Sequence, residues 1–162
     1  MGPARLRPLF ERTFRSLRIR NYRLYFIAQT VSMSGTWMQS VALSWLVLEL
    51  TDSAVALGAV TAVLFGPTLV LGPWGGVLAD RVDKRRLLLV TQSCAGVFAL
   101  GLGVVTVTGV VELWMVAALA LMTGVSVALD MPARQSFVIE MVGPDDVANA
   151  VGLNSVIVNA SR

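Results

Sequence analysis

Four stretches of this chain run without a charged side chain, at about Leu24–Leu48, Ala54–Ala79, Leu87–Gly109 and Leu113–Leu129. Each is about 17 to 26 residues long, and roughly 20 apolar residues suffice to cross a bilayer as a helix. The fourth is the shortest and is expected to continue as helix past Asp130. A fifth apolar stretch begins near Val147 and is cut off at Arg162. None alternates apolar and polar positions, so these are not the strands of a barrel, and an open strand could not satisfy its backbone in lipid. The connecting loops, Glu49–Ser53, Asp80–Arg86 and around Val110–Glu112, are short enough to make neighbouring helices antiparallel. The pattern predicts an all-α membrane protein: a basic arm over residues 1–23, then an incomplete bundle over residues 24–162.

Composition agrees. Of 162 residues, 56% are hydrophobic and 14% charged, against about 25% charged in soluble domains. A soluble fold of this size has nowhere to put the surplus apolar surface. One cysteine, Cys94, and no histidine leave no disulfide framework, no Cys/His zinc site and no histidine acid–base chemistry. Cys94 lies in an apolar run with no cationic neighbour to activate it and reads as a packed residue.

The basic residues orient the bundle. Seven arginines precede Leu24. Arg81, Lys84, Arg85 and Arg86 follow the second run, and Arg134 follows the fourth; the first and third loops hold only Glu49, Asp52 and Glu112. By the positive-inside rule the N-terminus is cytoplasmic. The arm is no cleaved signal peptide, because the run after it is too long and ends without a small-residue site. Within the arm, Leu6, Phe10, Phe14 and Leu17 share one helical face and Arg5, Arg12, Arg15 and Arg18 the other. That suits a helix in the headgroup layer; a disordered basic arm fits the same residues. Basic residues that flank membrane segments do not read as a nucleic-acid surface.

Small residues recur every four positions in three of the runs: Gly58, Ala62 and Gly66; Ala95, Ala99 and Gly103; Ala120, Gly124 and Ala128. Such stripes let helix backbones approach closely in membranes. The second run also carries Pro67 and Pro73, which remove backbone donors and favour kinks. The first run is the polar one. At 100° per residue Gln29, Ser32, Thr36, Gln39 and Ser40 fall on one stripe, costly against lipid and suited to a water-filled cavity or to interhelical hydrogen bonds. Trp37 and Trp45 lie off that stripe and read as packing or anchoring residues. No carboxylate lies deep in any of the four runs; Glu49, Asp80, Glu112 and Asp130 sit at their ends. No phosphate-binding loop, metal cluster or nucleophile–base pair is present. The residues call for no cofactor and no catalytic activity.

After the second run stands Gly76-Val77-Leu78-Ala79-Asp80-Arg81-Val82-Asp83-Lys84-Arg85-Arg86. This resembles the signature of the major facilitator superfamily: glycine, three residues, Asp-Arg, one residue, glycine, then two or three basic residues. It occupies the loop between helices two and three, as in that family. Asp83 departs from the pattern, where glycine is usual. Asn21-Tyr22-Arg23-Leu24-Tyr25, Trp45 to Thr51, Asp130-Met131-Pro132-Ala133-Arg134-Gln135 and Asn149 to Ser155 look like the branch containing the enterobactin exporter and related drug and siderophore exporters. The resemblance covers essentially the whole chain, but about the first third of such a protein, whose twelve helices form two pseudo-symmetric halves.

The resemblance implies a secondary transporter of the bacterial inner membrane that exports small organic compounds by alternating access, with lipid and a small-molecule substrate as its partners and protons as a candidate coupling ion. It implies that Asp80 ends the second helix against the other half. It also implies that Lys84 pairs with an acid at the end of the fourth helix, where Asp130 stands one turn before Arg134. With Gly76, Arg81, Arg85 and Arg86 these residues would form a cytoplasmic gate. Gln29, Ser32, Thr36, Gln39 and Ser40 are the candidate cavity lining. The arginine that many drug–proton antiporters carry four residues before a glycine in the fourth helix is absent, since Ala120 precedes Gly124. A small transporter complete at four helices is a rival reading, as is a non-transporting multi-pass subunit. Gln29 and Gln39, in place of a first-helix carboxylate, argue against the former, and the basic loop argues against the latter.

Overall fold

The computed structural model describes residues 19–142 and 147–160, apart from a few side chains within the helices, Asp80 among them. The basic arm before residue 19 lies outside the described residues. All regular structure among them is helical: α1 Arg20–Thr51, α2 Ala54–Arg81, α3 Lys84–Val107, α4 Leu113–Val142 and α5 Val147–Ala160.

Three of these, α2, α3 and α4, are long and apolar enough to cross a membrane. The expected fourth crossing, in α1, does not qualify on composition. Its 32 residues reach about 48 Å, ample for a bilayer, but the glutamines, serines and threonines of its middle dilute the apolar run.

The helices start and stop on identifiable local chemistry. Asp52 takes a left-handed conformation, φ 47°, which aspartate tolerates better than most residues, and Ser53 caps α2 by accepting from the Ala56 N–H at 3.3 Å. Between α2 and α3 only Val82 and Asp83 are non-helical. The expected loop of seven residues is therefore a turn of two, because each flanking helix extends into it. Val82 closes α2 with its N–H on Leu78 O at 3.1 Å, and Asp83 caps α3. After α3, Gly109 takes φ 72°. As expected, the fourth helix continues past Asp130, and it reaches Val142 through Pro132 and Arg134.

Two compact units divide the chain, with boundaries inside α1 between Met38 and Gln39 and inside α4 between Ser136 and Phe137. In the unit from Gln39 to Ser136 an aliphatic core gathers where α1 ends, α2 begins, α3 ends and α4 begins: Leu43, Leu46, Val47, Val60, Leu102, Val116 and Ala120. This is the up-and-down alternation that short turns impose. In the other unit, Tyr22, Val138, Val142, Ala150 and Leu153 form a second core. There Tyr22 is 1% exposed and donates its hydroxyl to Ala150 O at 3.1 Å. Tyr25 meets Phe137 edge-on, with ring centroids 6.0 Å apart.

Many large apolar side chains remain outside both cores, Val55, Leu69, Trp74, Leu100 and Val107 among them. Hydroxyls along the helices mostly fold back on their own backbone, as Thr61 does to Leu57 O and Thr123 to Leu119 O. This satisfies them without a partner helix.

Of the three small-residue stripes, that of α4 packs closely on a neighbour. Ala120 and Ala128 are buried, and a Cβ on Gly124 would fall on the Leu64 carbonyl. Gly58, Gly66 and Gly103 face open space, because α2 turns a different face, Leu64, Pro67 and Gly75, toward α4.

Candidate functional site

The signature loop begins inside α2. Gly76 is half-buried, with nothing within 4 Å of where a Cβ would stand. Asp80 belongs to the last turn of α2, its side chain outside the described residues. Arg81 ends the helix and is exposed, as are Val82 and Asp83. Asp83 has φ −61° and ψ 110°, and its Oδ1 accepts from the Arg86 N–H at 3.0 Å. An aspartate at this position is a strong N-cap, and its charge opposes the positive end of the α3 dipole. The turn needs no glycine, since neither Val82 nor Asp83 has positive φ. Lys84 opens α3 half-buried, followed by exposed Arg85 and Arg86.

About 10 Å further along α3, Thr91 and Gln92 face Asp130 of α4. Asp130 is 7% exposed, and four hydrogen bonds are described for its carboxylate. Thr91 Oγ1 donates to Oδ1 at 2.9 Å and Gln92 Nε2 to the same oxygen at 3.1 Å. On the other side Arg134 donates Nε to Oδ2 at 2.8 Å, and its Nη2 closes an ion pair on that oxygen. The Thr91 hydroxyl has one proton and two acceptors in reach, Asp130 and Leu88 O at 3.2 Å. A charged acceptor makes the stronger bond, so the proton belongs to Asp130. Arg134 Nη1 is buried and has no hydrogen-bond partner among the described residues.

The spacing Asp130–Arg134 places the two charges one turn apart on a single helix face, so α4 carries its own counterion through the region where its apolar run ends. Thr91 and Gln92 were not anticipated from the sequence. Their trace there is faint: two adjacent hydrogen-bonding side chains directly after the apolar stretch Leu87–Val90. The pairing expected from the family, Lys84 with Asp130, is not among the four bonds described.

The polar stripe of α1 is distributed along the helix. Gln29 is buried, Ser32, Gln39 and Ser40 are half-buried, and Thr36 is exposed. Thr36 folds back onto Ser32 O at 3.0 Å and Ser44 onto Ser40 O at 2.9 Å. Among the described residues no cluster of His, Cys, Asp and Glu could hold a metal ion.

A family model described as transmembrane secretion effector, within the major facilitator superfamily, matches residues 11–162. The chain belongs to the major facilitator superfamily. It is 29% identical over 141 residues to the staphyloferrin A transporter of Staphylococcus aureus, a match covering 86% of this chain and 36% of that protein. To the uncharacterized MFS-type transporter YfiS of Bacillus subtilis it is 27% identical over 136 residues, covering 83% of this chain and 31% of the relative. The chain thus spans about a third of the length of the curated relatives it matches. No solved structure matches it significantly. Family membership and three membrane-capable helices make it a multi-pass membrane protein of the superfamily, built from helices alone among its described residues. Its named relatives are transporters rather than enzymes.

Proposed function

We propose that this chain is the N-terminal portion of a secondary transporter of the bacterial plasma membrane that exports small organic compounds, drug-like molecules or siderophores, by alternating access. The observation that carries this reading is the family match along residues 11–162. The name of the Staphylococcus aureus relative favours siderophores among the substrates. In this reading α1 is the fourth crossing, with its N-terminus in the cytoplasm. Gln29, Ser32, Thr36, Gln39 and Ser40 then turn away from lipid toward a polar cavity.

The gate in this reading is the end of α2 with the turn after it, Gly76, Asp80, Arg81, Lys84, Arg85 and Arg86, together with Asp130 and Arg134. The buried, four-bonded state of Asp130 supports a structural demand on this end of the bundle. A gate contact counts only if it forms in one state and breaks in the other. The decisive experiment uses the full-length transporter, with efflux of siderophores and drug-like dyes read from loaded cells. Asp80→Asn should cut transport while leaving the amount of protein inserted in the membrane unchanged. The loss is about tenfold for each 1.4 kcal/mol removed from the closed state. Unchanged transport in the variant would sink the gate. No efflux of any tested compound by the parent protein would count against the exporter itself.

A further inference from the structure

Two glycines and two prolines bring α2 and α4 into close backbone approach. A Cβ on Gly75 of α2 would stand 2.8 Å from the Ala128 carbonyl oxygen of α4 and 3.1 Å from the Pro132 ring. Reciprocally, a Cβ on Gly124 of α4 would fall on the Leu64 carbonyl of α2 and 3.2 Å from the Pro67 ring. Each helix therefore offers one glycine and one proline, eight residues apart, and each glycine receives the other helix's proline. The two contacts share a single register: Pro67 to Gly124 and Gly75 to Pro132 both differ by 57 positions.

The chemistry of proline explains part of the fit. Pro132 has no N–H to give to the Ala128 carbonyl four residues before it, and it is this carbonyl oxygen that lies against Gly75. On α2, the Leu64 carbonyl that faces Gly124 is the acceptor a back-bonding Thr68 hydroxyl would use. The Thr68 hydroxyl is buried and makes no hydrogen bond, unlike the threonines elsewhere along these helices. Thr68 therefore lacks the back-bond that Thr61 and Thr123 make to their own helices.

We propose that Gly75 and Gly124, with Pro132 and Pro67 opposite, are positioning residues that lock α2 and α4 into one register. Ala128 and Pro132 flank Asp130 two residues away on either side, and Gly75 precedes Asp80 by five. The lock therefore fixes the end of α2 and the Asp130 cluster on one rigid pair of helices, which carries both through the transport cycle. Gly75, one residue before the signature glycine, sets the distance.

The transport arm of this proposal rests on the exporter reading; the register does not. The test uses the full-length protein with Cys94→Ala and the pair Leu71→Cys and Ala128→Cys, also 57 positions apart and between the two contacts. In membranes this pair should form a disulfide or accept a short cross-linker in high yield, equally with and without substrate, and the cross-linked protein should transport within about twofold of the uncross-linked one. Adding Gly124→Val should lower the cross-linking yield severalfold. A yield that depends on substrate, or transport abolished by the cross-link, overturns the lock. A protein that cross-links at this register yet moves no substrate even before cross-linking supports the lock and overturns the transport reading instead.

Discussion

The turn between α2 and α3 and the carboxylate cluster between α3 and α4 both hold charged residues near the same end of the bundle, yet they answer to different physics. In the turn, Arg81, Asp83, Arg85 and Arg86 are exposed, and Asp83 has a local duty, capping the helix it opens. In the cluster, Asp130 is buried and held by four donors from two helices. An exposed charge is solvated whatever its neighbours do; a buried one must be matched or it destabilises the fold. Residue for residue, substitutions in the cluster should therefore act on stability and those in the turn chiefly on helix ends. The signature that identifies the family lies mostly in the region where stability depends least on it.

The largest effect should come from breaking the Asp130–Arg134 pair. Asp130→Ala alone leaves a guanidinium without its counterion, and Arg134→Leu alone leaves a carboxylate with only Thr91 and Gln92. Each should cost about 3–5 kcal/mol of stability, seen as a loss of folded protein and a lower unfolding temperature of the full-length transporter in detergent. The double variant Asp130→Ala, Arg134→Leu should cost less than either single change, because no charge is then left unmatched. Additive losses would mean that the two charges do not depend on each other and that the contrast with the turn is mistaken.

A smaller effect sharpens the same comparison from the α3 side. Thr91→Val keeps the shape of a side chain that is 5% exposed and deletes one hydrogen bond to the buried carboxylate. The expected cost is about 1.5–3 kcal/mol, the range for a bond to a charged group. Thr91→Ser keeps the donor and should recover most of it. If valine and serine behave alike in the same unfolding measurement, Asp130 is satisfied by Arg134 alone.

What was legible in the sequence follows from what lipid demands. Long uncharged runs, short loops and one-sided arginines carry the helical class, because a bilayer penalises any departure from them. Where the demand weakens, so does the reading. The apolar run of the fourth helix ends at Leu129; the helix is expected to continue, but nothing in the apolar pattern says how far. Asp130 and Arg134 neutralise each other one turn apart, and the carbonyl that Pro132 leaves without its usual donor faces Gly75. Three small-residue stripes look alike in sequence, but Gly124 of α4 meets a neighbouring helix while Gly58, Gly66 and Gly103 face open space, since spacing shows which residues share a face and not which face is turned inward. Thr91 and Gln92 were invisible as partners of Asp130 for the same reason. They lie 39 and 38 residues away from it, a pairing that exists only once α3 and α4 pack.

The turn supplies the smallest effect, and it bears on why Asp83 stands where the family usually has glycine. Capping by Asp83 satisfies the Arg86 N–H in the first turn of α3. Asp83→Ala removes that acceptor and should cost about 0.5–2 kcal/mol, whereas Asp83→Gly should cost only a few tenths, because glycine is a tolerable N-cap and alanine is not. Hydrogen exchange of the amides at the start of α3 should speed up in the alanine variant and barely change in the glycine variant, with the Asp130 cluster undisturbed in both. That ranking would make the glycine and the aspartate alternative solutions to one problem, the starting of α3. Equal losses from alanine and glycine would mean instead that the side-chain charge of Asp83 matters beyond the cap, and the turn would then share the electrostatic burden assigned above to the cluster alone.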